Sequence, residues 1–118
     1  MIETIQDAKS ALEADGLIVA KSRMDSLLIG GWIADGGDGL RIFKDACGLN
    51  QRNGEWVVLF PSAGLQQYHV PGTLAQGVAL ILAAYQDHRK NGGEFHDACK
   101  RVLKDADQYL TGRSLAGV

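Results

Sequence analysis

Apolar residues change their spacing twice along the chain, and each change marks a change of element. Ile5, Ala8 and Leu12 recur at three and four residues with Ala11 beside them, which is the stripe of an amphipathic helix. Asp15-Gly16 ends that stripe, glycine being favoured in the left-handed position beyond a helix. From there to Val70 the pattern shortens. Runs at 17–23, 26–34, 40–45, 55–60 and 65–70 are rich in branched and aromatic residues and are cut by polar or glycine breaks, so each predicts a strand. The longest, 26–34, sets Leu28, Gly30 and Trp32 on one face and Leu27, Ile29 and Ile33 on the other. Asp35-Gly36-Gly37-Asp38-Gly39 supplies the positive φ angles of a hairpin turn. Residues 46–52 read as irregular, with Asn53-Gly54 opening the next strand.

After Pro71-Gly72 the helical period returns. Thr73 and Gln76 have the spacing of a capping box, and Leu74, Val78, Ile81 and Tyr85 follow at steps of 4, 3 and 4. Asn91-Gly92-Gly93 breaks the helix. A second stripe runs through Phe95, Cys99, Val102, Ala106 and Tyr109 to Leu110, so two helices form an αα-hairpin. The predicted architecture is α+β over residues 1–118 as one domain. An N-terminal helix leads into an antiparallel meander of about five strands, and the αα-hairpin packs on one sheet face.

Composition sharpens this only in part. Fifteen glycines in 118 residues is about twice the usual ~7%. Seven of them fall between Gly30 and Gly54, where turns and bulges need them. Twelve basic against fourteen acidic residues give a net charge of −2, which argues against nucleic acid as a partner. The first residues carry no cationic or apolar leader, and the apolar run 78–85 is too short to span a bilayer, so no membrane association is expected. Cys47 and Cys99 read as thiols in a reducing compartment, hence a cytoplasmic setting.

Candidate chemistry is sparse. His96 and Cys99 stand one helical turn apart, but no second ligand pair accompanies them, and Cys99 lies on an apolar stripe. No metal and no cofactor are expected. Gly36-Gly37-Asp38-Gly39 joins strand to strand without a following Lys-Ser or Lys-Thr, unlike a phosphate loop. Cys47, at a strand end, with His69 as its base is the alternative, catalytic expectation, and it would make a small cysteine-dependent hydrolase or transferase. A ligand pocket between a curled sheet and the helix 73–90 would need on the order of 300 Å³.

The stronger expectation is a non-catalytic module that binds another protein or a second copy of itself. Strand 26–34 is apolar on both faces, unlike a half-solvated strand, and three helices suffice for one sheet face. Trp32 and Tyr68 are the aromatic candidates for the contact. Asp25, Asp35 and Asp38 would add an acidic rim able to steer a basic partner. In size, acidic balance and layout the chain is similar to bacterial-type immunity proteins, secretion chaperones and adaptors, a likeness that no motif carries.

Overall fold

The computed structural model describes residues 2–22, 25–64 and 67–105. Helix α1 (Ile5–Ala14) is followed by strands β1 (Ile18–Ser22), β2 (Ser26–Gly30), β3 (Trp32–Asp35), β4 (Arg41–Lys44), β5 (Cys47–Arg52), β6 (Glu55–Pro61) and β7 (Gln67–Gly72). Helices α2 (Leu74–Asn91) and α3 (Phe95–Lys104) complete the order. The predicted continuation of the last helix through Ala106, Tyr109 and Leu110 falls outside the described residues.

Two threonines start two helices in the same way. Thr4 accepts from the Asp7 amide while Asp7 accepts from the Thr4 amide, and Thr73 and Gln76 exchange the equivalent pair of bonds. Bonds from the Glu3 and Thr4 amides hold the Asp7 carboxyl below its ordinary range.

The main sheet has five strands in the order β1-β2-β5-β6-β7, every pair antiparallel. Its inner face presents Leu27, Ile29, Leu49, Val58, Phe60 and Val70 to the helices, all buried. From above, α2 contributes Leu74, Val78, Ile81, Ala84 and Tyr85, and α3 contributes Phe95, Cys99, Val102 and Leu103. Ala8 and Leu12 of α1 close the same layer. The α+β class, the N-terminal helix, the antiparallel sheet and the αα-hairpin on one face therefore stand as the spacing predicts.

Two features differ from that expectation. The segment 47–52 is a central strand, not an irregular stretch. Asn53 and Gly54, with φ of 52° and 80°, are the two left-handed residues of a tight hairpin between β5 and β6, where Arg52 pairs with Glu55. The run 26–34 is also two strands. At Gly31 the chain leaves the main sheet, and β3 pairs only with β4 as a separate two-stranded ribbon. A Cβ at Gly31 would lie 3.4 Å from the Asp45 Cβ and 3.5 Å from Tyr85 Cε1, ordinary contact distances that place the ribbon base against α2. Asp45, at the far side of that base, takes a left-handed φ of 50°. The ribbon leans back so that Phe43 covers Gly30 on the sheet's outer face, its Cδ2 3.0 Å from where a Cβ would be.

Candidate functional site

Strand alternation decides which predicted residues meet. Cys47 pairs with Ile29 on the inner face. Its thiol is buried, with Sγ 3.7 Å from the Tyr85 hydroxyl oxygen, a contact in which either group can donate. His69 pairs with Leu59, which in turn pairs with Gly48, so it stands on the outer face. There it is exposed, its Nδ1 3.5 Å from Arg52 Nη1. The sheet thus separates Cys47 from His69, and the nucleophile–base pairing does not assemble. Burial pushes the Cys47 thiol up to about 12, against the hydrogen bond to Tyr85, which acts the other way.

A chemical expectation follows. Native protein at pH 8 should take up no iodoacetamide at Cys47 or Cys99 over the time in which urea-unfolded protein is modified at both, read by intact mass. Rapid native labelling of Cys47 would contradict its burial. The unfolded thiol ionises near its ordinary 9.0 and the folded one near 12, so the unfolded chain sheds its proton first. Stability contributed by the buried thiol is complete below about pH 9 and falls as pH rises towards 12, a slope that urea titrations across that window read out.

The partner-binding candidates divide. Tyr68 pairs with Phe60 and packs half-buried against the core on the helix side, away from the open face. Trp32 is 52% exposed, but the break at Gly31 removes it from the face of Leu28 and turns it towards the end of α2. Asp25 occupies the turn before β2 with φ of 58°, whereas Asp35 ends β3 and Asp38 sits in the turn beyond it, at the ribbon tip. Along the chain Asp25 and this pair stand at opposite ends of the β2–β3 path. Each has a local task. Asp35 Oδ1 accepts from the Gly37 amide at 2.9 Å, and Asp38 takes a left-handed φ of 49° in the turn closed by Leu40 N donating to Gly37 O.

What the structure adds is a surface. Among the described residues no helix lies on the sheet's outer face, where Leu28, Gly48 and Leu59 form one cross-strand row. Gly48 makes a dent between the two leucines, a hollow of about 250 Å³ edged by Ser22, Asn50 and Gln67. The ribbon exposes Leu40 and Ile42, and Trp32 at its base. Together with Leu28, at 43%, these are the large apolar side chains left exposed among the described residues, and all lie between positions 28 and 42. Leu40 and Ile42 were not singled out from the sequence, where a short alternating strand gives no sign of which face stays open.

Two further openings have charged residues in their walls. At the base of the ribbon a cavity of about 250 Å³ is lined by residues of the α1–β1 turn, Gly31, Trp32, Asp45 and the α2 residues Tyr85, His88 and Arg89. A wider groove of about 520 Å³ separates α2 from α3, where Arg101 Nε and Nη2 donate to Asp87 Oδ1 at 2.9 and 2.6 Å. Those bonds hold the Asp87 carboxyl below its ordinary range. Among the described residues no group of three or more His, Cys, Asp and Glu side chains is placed to hold a metal ion, and no helix is long and apolar enough to cross a membrane. Against protein-family models, curated proteins and solved structures the chain matches none.

Proposed function

We propose that this chain is a non-catalytic protein-interaction module, of the kind that immunity proteins, chaperones and adaptors represent, acting in a reducing compartment such as the cytoplasm. Its contact is made by the outer sheet face and the β3–β4 ribbon, with another protein or a second copy as the partner. One observation carries this reading: among the described residues the large apolar side chains left exposed are Leu28, on the sheet face that no described helix covers, and Leu40 and Ile42 of the ribbon, with Trp32 at the ribbon base. Apolar side chains exposed singly need no explanation, whereas neighbouring ones mark an interaction surface. The dent at Gly48 would receive one apolar side chain of the partner, and the uncharged rim of Ser22, Asn50 and Gln67 leaves no charge to desolvate there.

A photo-crosslinking amino acid at position 42 or 28 of the full chain tests this. In cells it should yield one defined adduct, with a particular protein or with a second copy, and Leu28→Lys should abolish the adduct of the position-42 probe. The same probe at Lys100, exposed on α3, should yield no such band. If sedimentation shows a monomer at all concentrations and positions 28 and 42 give no adduct above the Lys100 control, the reading is wrong.

A further inference from the structure

The ribbon-base cavity differs in its lining from the outer sheet face. Three separate parts of the chain build it: Asp15, Gly16 and Leu17 after α1, Gly31, Trp32 and Asp45 where the ribbon leaves the sheet, and Tyr85, His88 and Arg89 near the end of α2. Its charges are not equally available. Arg89 Nη2 is bonded to Asp15 Oδ2, and Arg89 Nε donates to the Tyr85 carbonyl at 3.3 Å. His88 Nε2 is engaged with the Gly93 carbonyl at 2.9 Å. The Tyr85 hydroxyl donates to the Asp45 carbonyl. The Asp45 carboxylate has no ion-pair partner among the described residues. It therefore supplies the uncommitted charge of the lining, and that charge is negative.

Beside the carboxylate stands a half-exposed indole. Trp32 offers the best ring for attracting a cation to its face, and an organic cation also gains from the apolar walls of Leu17 and Tyr85. About 250 Å³ is room for roughly eight water volumes at ~30 Å³ each, smaller than a drug-sized site. We infer that this cavity binds a compact organic ammonium ion, held between the Trp32 indole and the Asp45 carboxylate. Lys44 sets the affinity from outside. It pairs with Trp32 across the ribbon on the same ribbon face and is not part of the lining, so its ammonium competes for the same field.

Choline is the probe, followed by Trp32 fluorescence in a Trp56→Phe background so that one indole reports. A saturable change is expected with choline chloride and not with sodium chloride at equal ionic strength. Asp45→Asn should weaken it about fivefold or more, because only the charge is lost. Asparagine accepts a left-handed backbone as aspartate does, so the melting temperature should hold. Lys44→Ala should tighten choline binding. No saturation beyond the salt control, tighter binding of acetate than of choline, or an unchanged affinity in folded Asp45→Asn would each overturn the assignment. The reading as a protein-interaction module is not touched by that failure, since its crosslinking positions lie outside this cavity.

Discussion

Tyr85→Ala is expected to lower the unfolding free energy by about 3–5 kcal/mol, the range for removing a large buried aromatic side chain. That would be a large share of the ~5–15 kcal/mol of an ordinary domain. The ring is buried and stacked on Phe95 with centroids 4.5 Å apart, so alanine would leave a hole between α2 and α3. The hydroxyl has a separate task. It reaches the carbonyl of Asp45 at 2.5 Å and that of Ile29 at 3.4 Å, from the two strand ends that flank the ribbon. Tyr85→Phe keeps the ring and removes that clamp, and should cost about 1–3 kcal/mol because the accepting carbonyls lose their buried donor. Urea titration of the three proteins gives both differences. If Tyr85→Phe matches the parent, the hydroxyl does not hold the ribbon base, and the whole loss in Tyr85→Ala belongs to packing. With the clamp gone, amide exchange at Gly31 should also accelerate, since its N–H bond to the Lys44 carbonyl spans that base.

The ribbon base also explains where the sequence could be read and where it could not. The helices were legible because each shows a stripe several turns long and α2 carries its own capping box; Leu74, Val78, Ile81 and Tyr85 are all buried as that stripe requires. Strand β5 was not. Only Cys47 and Leu49 of its residues face the core, while Gly48, Asn50 and Arg52 line the outer face, so its alternation is real but short and weakly apolar. One signal was there to use: Asn53-Gly54 is a two-residue hairpin turn, and such a turn implies a strand before it as well as after it. The break at Gly31 had a local mark in the Gly30-Gly31 pair, but apolar residues run on both faces from Leu27 to Ile33 and masked it. Beyond it Gly31 lies near Asp45 and Tyr85, residues distant in sequence.

Those two misses settled the fate of the candidate residues. Without β5 there was no register from which to see that Cys47 and His69 take opposite faces. A single-residue offset in pairing reverses every side chain, and that offset is not written in composition. Without the break, Trp32 belonged with Leu28 on one continuous strand. In the fold it lines a cavity with α2, while Leu28 remains on the open sheet face. The apolar excess of 26–34 was nonetheless informative, because it signalled that this segment serves two surfaces. The buried one is the helix interface, and the other is the surface on which the proposed contact rests.

Gly77→Leu is the second variant with a large expected effect, and it tests the helix–sheet layer rather than the ribbon. A Cβ at Gly77 would lie 3.0 Å from Leu49 Cδ1 and 3.2 Å from Val58 Cγ2, closer than ordinary packing. Both neighbours are buried on the inner face and have little room to yield. A leucine there would push α2 off the sheet at the register where β5 and β6 pair Leu49 with Val58, and should cost about 3 kcal/mol or more, at the upper end of overpacking losses. Gly77→Ala sets two smaller terms against each other. Alanine gains up to ~1 kcal/mol of helix propensity over glycine, and the crowding of one methyl takes that gain back. A net change within ~1 kcal/mol is expected for alanine, against a clear loss for leucine, by thermal and urea melts. Alanine stabilising by the full propensity term with leucine tolerated would mean that α2 stands further from the sheet than these distances place it. The helix layer would then be free to shift, and the division between a rigid covered face and an open outer face would lose its physical basis.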